Sequence, residues 1–179
     1  TLNNTLQITL KQSVLFNTAL NLTGNNNIIR GLQIERFGTS ALIAISSSGN
    51  QILGCYVGTD GVTSKATGAT GGIFISSANN SIGDGTAAGR NIITGFSGTS
   101  SKAIEISGAS ASGNMIKGNL ISLLNDGITP APPRYGIYIT NGAGSTVIGG
   151  NAPGEGNIIS GNGASTSPLL GGGIYCNAD

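Results

Sequence analysis

The sequence predicts an all-β fold, a single-stranded right-handed parallel β-helix (β-solenoid) with three strands per coil and about six coils. Two observations support this fold. Short apolar clusters rich in β-branched residues alternate with period two, which is typical of strands. The clusters also recur in a fixed order about every 30 residues, separated by Gly, Asn and Ser. The handedness follows from the general right-handedness of parallel crossovers.

The most regular cluster, here strand 2, reads Ile-x-Ile after a small residue. Its later copies begin at positions 43, 73, 104, 137 and 174, so the steps are 30, 31, 33 and 37 residues. The steps differ because loops between strands tolerate insertions. Period-two alternation predicts that the outer two residues of each copy point into the core and the middle one points outward. The copies are residues 20–22, 43–45, 73–75, 104–106, 137–139 and 174–176.

Two further clusters, strands 1 and 3, begin with Asn in their clearest copies. That Asn lies two residues before an inward Ile, so it should also face inward, at a corner of the coil. Stacked Asn side chains bond to one another and to turn carbonyls, so Asn91, Asn119 and Asn157 are predicted to form a structural ladder. The copies are 6–8, 32–34, 55–57, 91–93, 119–121 and 157–159 for strand 1, and 27–29, 50–52, 80–82, 114–116 and 146–148 for strand 3.

The composition is compatible with one repetitive domain. The chain has 179 residues, of which 31 are Gly, and only 8% are charged. Low charge can indicate disorder, but 38% of the residues are hydrophobic and they fall in regular clusters, which argues for an ordered lattice. We therefore expect a single parallel β-helix domain over residues 1–179 without obvious caps.

Charge and residue types argue against several functions. The formal net charge is +1 and there is no basic run, so no nucleic-acid partner is expected. No apolar stretch reaches the roughly 20 residues that span a bilayer, so no membrane insertion is expected. The chain has no His, which removes the commonest metal ligand and general base, and neither a cofactor nor a metal is expected.

The acidic residues do not form a catalytic pattern. The internal acids fall on different coils and no Asp-x-Asp pair occurs, so the chain is predicted not to be an enzyme. The best catalytic candidate is Glu105 with Lys102, which we interpret as a solvated pair on a strand. Asp60 is interpreted as a turn residue bonded to its own backbone rather than as a calcium ligand.

The two cysteines, Cys55 and Cys176, lie about four coils apart. Parallel stacking would separate them by well over 10 Å, beyond the reach of a disulfide. Two free and largely buried thiols are therefore predicted.

Two outward columns are candidate interaction surfaces. On strand 2, the aromatic residues Phe74, Tyr138 and Tyr175 could stack on sugar rings or pack against a partner. On strand 1, a row of outward apolar side chains predicts a covered face, because isolated solenoids rarely expose such a row. Either a laterally packed partner or the chain's own loops would cover it. The strand 1 column consists of Tyr56, Ile92, Leu120 and Ile158.

Several segments resemble a known family. Residues 54–61 (GCYVGTDG), 79–83 (NNSIG) and 156–162 (GNIISGN) are similar to the repeats of bacterial secreted right-handed parallel β-helix proteins, in the pectate-lyase-like superfamily and of the non-enzymatic surface type. The resemblance covers about residues 25–175 and implies an extracellular or cell-surface location. Cys55 and Leu32 stand where the family pattern has Asn.

The expected function is that of an extracellular structural or adhesive solenoid. Strands 1 and 2 occur six times and strand 3 five times, so both terminal coils are partial. Such ends expose backbone groups and core, which predicts head-to-tail self-association into a filament, or membership of a longer surface protein. The alternative is a carbohydrate-binding or polysaccharide-cleaving β-helix. The expected partners are therefore other copies of the chain and, in the alternative, a polysaccharide.

Overall fold

The computed structural model describes residues 8–11, 18–35, 40–64, 69–163 and 171–177. No helix among them is long and apolar enough to cross a membrane. The strands of this described part are, in chain order, β1 (Ile8–Lys11), β2 (Leu20–Leu22), β3 (Ile28–Arg30), β4 (Leu32–Glu35), β5 (Ala41–Ile45), β6 (Gln51–Leu53), β7 (Tyr56–Val57), β8 (Gly71–Ile75), β9 (Ser81–Ile82), β10 (Ile92–Ile93), β11 (Lys102–Ser107), β12 (Met115–Ile116), β13 (Leu120–Ile121), β14 (Tyr135–Thr140), β15 (Val147–Ile148), β16 (Ile158–Ile159) and β17 (Gly172–Asn177).

These strands form three parallel sheets through which the chain passes once per coil. Sheet A has the order β1-β4-β7-β10-β13-β16, sheet B β17-β14-β11-β8-β5-β2, and sheet C β15-β12-β9-β6-β3. Each interior strand of a sheet pairs with the strands three before and three after it in the chain. The fold is therefore a parallel β-helix of three strands per coil and about six coils, as the sequence predicts.

Strand 2 of the sequence pattern is sheet B, and its register confirms the predicted alternation. Ile43 pairs with Ile73 and Ile104 pairs with Ile137, and all four side chains are at most 1% exposed. Phe74, between two inward residues, is half-buried and faces outward. Each inward column thus packs Ile on Ile from coil to coil.

One apolar cluster fills the interior from Leu22 to Ala143. Burying a side chain of this size contributes roughly 1.5–3 kcal/mol, and stacking supplies the burial that no single coil could achieve. Asn50, Asn80, Asn91 and Asn114 are fully buried at the corners of this core.

The first strand differs from the prediction. Ile8 pairs with Leu32, and Leu10 pairs with Ile34, so the register is shifted by two residues from the predicted 6–8 copy, of which Leu6 and Gln7 lie outside the described residues. The sequence Ile8-Thr9-Leu10 also alternates, and a two-residue shift keeps the same side chains facing inward. Ile8 is 68% exposed, because β1 is the terminal strand of sheet A within the described part of the chain.

The cysteines are both free, but only Cys55 is buried. The prediction of a largely buried Cys176 is wrong. This residue pairs with Ile139 on the inward side of β17, and β17 is the terminal strand of sheet B within the described part of the chain. With a neighbouring strand on one side only, its thiol is exposed.

Candidate functional site on the outer face of sheet B

Two outward columns run across sheet B. The first column has small side chains on β5 and β8, large ones on β11 and β14 and Gly on β17, and in the second column Ala44 on β5 is followed by larger side chains. The first column is Ala41, Gly71, Lys102, Tyr135 and Gly172, and the second is Asn21, Ala44, Phe74, Glu105, Tyr138 and Tyr175.

The step in side-chain size leaves a groove of about 300 Å³. Ala41, Ala44 and Gly71 line it with almost no side chain, and Phe74 is the aromatic side chain among its lining residues. Lys102 and Glu105, on the next strand, contribute the charged groups. The hydroxyl-bearing residues in the lining are Thr18, Ser40, Thr70 and Ser100.

Lys102 and Glu105 form an ion pair at the edge of the groove. The ammonium of Lys102 lies 2.9 Å from Oε2 of Glu105, and the two side chains are 21% and 25% exposed. The same ammonium lies 4.9 Å from the ring centroid of Tyr138. The Lys102 charge is therefore shared between a carboxylate and an aromatic face, and the pair that was expected to be solvated is only partly exposed.

Three tyrosines form a cluster beyond this pair. The rings of Tyr138 and Tyr175 stack at 4.8 Å with 6° between their planes. Tyr135 meets the same two rings in tilted geometry, at 5.0 and 5.7 Å. The guanidinium of Arg134 lies 5.3 Å from the centroid of Tyr135. Tyr135 was not among the predicted face residues, since the sequence pattern limits strand 2 to three residues while β14 has six.

The predicted aromatic face of Phe74, Tyr138 and Tyr175 is therefore divided. Glu105 lies between Phe74 and Tyr138 in the column, so only the two tyrosines touch. Lys102 and Tyr175 are on strands to either side of the Tyr138 strand, so they occupy opposite faces of that ring. Phe74 is left as the aromatic residue of the groove.

The strand 1 column is largely covered by the chain itself. Tyr56, Ile92 and Leu120 are 8%, 0% and 3% exposed and form a second cluster outside the main core. The loop residue Gly61 packs so closely on the Tyr56 ring that an added Cβ would lie 2.8 Å from it. Burial raises the pKa of Tyr56 above its ordinary value. Ile158, at 48% exposed, is the one member of this column that is not buried.

The predicted ladder residues are hydrogen-bonded along the coil axis. Nδ2 of Asn91 donates to Oδ1 of Asn119 at 2.8 Å, and Nδ2 of Asn119 donates to Oδ1 of Asn157 at 3.0 Å. The amides also donate to main-chain carbonyls, as Asn157 does to Ile116. These bonds account for the three asparagines without a ligand.

Asp60 acts as a turn residue. Its Oδ1 accepts the backbone N–H groups of Val62 and Thr63 at 2.9 and 2.6 Å. Asp126 repeats the arrangement with Ile128 and Thr129. No group of three or more acidic, Cys or His side chains suited to a metal ion occurs among the described residues.

The sheet topology and the groove define the class of protein as a parallel β-helix with a polar depression on one face. Comparisons with protein-family models, with curated proteins and with solved structures find no match for this chain. The class is therefore defined by the strand order and register described above.

Proposed function

We propose that this chain is a structural or adhesive segment of an extracellular or cell-surface β-solenoid, whose coils stack end to end on further coils. The further coils belong to other copies of the chain, giving a filament, or to a longer surface protein. The repeat resemblance to bacterial secreted β-helix proteins, in the pectate-lyase-like superfamily and of the non-enzymatic surface type, supports the extracellular location.

The observation that carries the proposal is the exposed core column at one end of sheet B. Ile174 pairs with the fully buried Ile137 and continues the same inward column, yet it is 50% exposed. A further coil stacked on β17 would cover Ile174 as its neighbours cover Ile137. Burying such a side chain contributes roughly 1.5–3 kcal/mol, in addition to the ladder bonds of a new strand pair.

The direction of stacking follows from the sheets. Every described strand pairing between coils is parallel, so β17 continues its sheet in the same manner only with a strand of the same direction. The opposite end of a second copy, beginning with β2, offers such a strand. That contact is heterologous and does not close, so it extends into a filament.

Light scattering and electron microscopy of the untagged chain test the proposal. Assemblies longer than six coils are expected. Ile174→Lys should dissociate them, because it places a charge in the interface between stacked copies. Gln51→Lys, on the exposed face of sheet C, is the matched control and should leave them intact. A monodisperse monomer for the unsubstituted chain, or assemblies that Ile174→Lys leaves unchanged, would overturn end-to-end stacking of copies.

A further inference from the structure

We propose that the groove on sheet B binds one or two rings of a neutral saccharide. The ligand would be held by Phe74, by the Lys102–Glu105 pair and by the hydroxyl-bearing residues of the lining. Saccharide binding goes beyond the structural role proposed above, and its test does not depend on end-to-end stacking.

The shape of the groove fits a small ring. Its volume of about 300 Å³ is at the lower end of the range for small-molecule sites. Ala44 leaves space beside Phe74 of the adjacent strand, and Gly71 leaves space beside Lys102 of the strand after that. A pyranose has an apolar C–H face and a hydroxyl rim, and the groove offers one aromatic side chain beside several polar groups.

The charges of the groove favour a neutral ligand. Lys102 is already paired with Glu105 at 2.9 Å and also lies over the Tyr138 ring, so the two charges of the groove cancel locally. An anionic sugar would have to break this pair and bring its charge close to the Glu105 carboxylate. A neutral sugar hydroxyl can instead donate to Glu105 and accept from Lys102 without separating them.

The same lining favours binding over cleavage. Glu105 is the one carboxylate among the described residues that line the groove. Hydrolysis of a glycosidic bond generally requires two carboxylates on opposite sides of that bond. The proposal is therefore a lectin-like site, which holds its ligand unchanged.

Saturation-transfer NMR and calorimetry on the whole chain test this site. The probes are maltose, cellobiose and diacetylchitobiose, with digalacturonate as the anionic comparison. At least one neutral disaccharide should bind with an affinity that changes little with salt, because no net charge is neutralised. Phe74→Ala removes the stacking ring, and Ala44→Leu fills the groove. Each substitution should weaken the affinity for that disaccharide about tenfold.

Gln51→Leu adds a similar apolar side chain on sheet C and is the matched control, which should bind as the unsubstituted chain does. Circular dichroism on each variant verifies the fold, and all three positions face outward. The proposal is overturned if no neutral probe binds at millimolar concentration, or if digalacturonate binds as well or better. Equal binding by the groove variants and the unsubstituted chain also overturns it.

Discussion

The side-chain amide of Asn91 donates to the side-chain oxygen of Asn119 across 2.8 Å, from one coil to the next. The backbone N–H of Asn91 donates to the same oxygen at 3.2 Å, and its Nδ2 also donates to the carbonyl of Ile52 at 2.8 Å. Asn119 repeats both donor contacts toward Asn157. Each asparagine therefore donates to a carbonyl of the preceding coil and to the asparagine of the next coil, and so links three coils.

Replacing Asn119 by Ala should cost about 3 kcal/mol of unfolding free energy. The change removes the oxygen that accepts the buried Asn91 N–H, and a buried unpaired polar group costs roughly 1–3 kcal/mol. It also removes one of two bonds from the Asn91 side-chain amide, which keeps Ile52, and one of the two bonds that the Ile82 carbonyl accepts, which keeps Lys117. Asn21→Ala, on the exposed outer side of sheet B, should change stability by less than about 0.5 kcal/mol. Urea unfolding compares the two variants. Equal stability of the two would show that the ladder is energetically unimportant.

The fold could be predicted from the sequence because every coil repeats the same alternation of inward and outward residues. Ile73 and Ile75 alternate with an outward Phe74, and the register repeats this arrangement in every copy of strand 2. Where the period-two alternation continues past the expected strand, the pattern does not determine the strand register. The shift of Ile8 onto Leu32 is such a case, since both registers bury the same side of the strand.

The groove could not be predicted in the same way. It depends on which residues become neighbours across coils, as Gly71 and Lys102 do, 31 positions apart. It also depends on strand extensions before the Ile-x-Ile motif, and these follow from pairing with adjacent strands rather than from local periodicity. The motif places Phe74, Glu105, Tyr138 and Tyr175 in one outward column, but it does not include Tyr135, which completes the tyrosine cluster.

Gly72→Ala should destabilise the chain by about 1–3 kcal/mol, through overpacking alone. A Cβ on Gly72 would lie 2.4 Å from the Ala103 carbonyl oxygen and 2.7 Å from the Phe96 ring. The main-chain oxygen cannot move away without disturbing the β8–β11 pairing. Thermal unfolding and urea titration measure the loss.

Gly144→Ala is the matched control for that substitution. A Cβ there meets no heavy atom within 4 Å, so Ala should be neutral, or stabilising by about 0.4–1 kcal/mol through the unfolded chain. If Gly72→Ala were as stable as Gly144→Ala, the close packing of β8 on β11 would not be the determining constraint.

The two thiols should react with Ellman's reagent at very different rates. The experiment uses the unstacked chain, which Ile174→Lys provides, and there Cys176 is exposed and should react at once. Cys55 is buried, and burial raises its pKa above the ordinary value, so both access and thiolate concentration are low. One thiol per chain is expected to react before unfolding and the second only in denaturant. Cys176→Ser should abolish the fast phase, and a fast phase that survives this change would contradict the burial of Cys55.

Two carboxyl groups should titrate below their ordinary range. The hydrogen bond from Lys117 at 2.9 Å, followed by the backbone N–H of Ala152, lowers the pKa of Glu155. The Thr129 hydroxyl, followed by backbone N–H groups, lowers the pKa of Asp126. Because the folded pKa is the lower one, each carboxylate stabilises the fold above its unfolded pKa, and this stabilisation is lost as pH falls through the folded pKa.

Carbon-detected NMR titration of the two carboxyl groups distinguishes these causes. Lys117→Met keeps the aliphatic stem but removes the ammonium, so the pKa of Glu155 should rise toward its ordinary value while that of Asp126 stays low. Thr129→Val should have the reverse effect, because it removes only the hydroxyl that bonds to Asp126. In both variants the acid limb of the stability curve should become shallower, since one fewer group binds a proton on unfolding. A Glu155 pKa unchanged by Lys117→Met would show that the hydrogen bond between Lys117 and Glu155 is not maintained in solution.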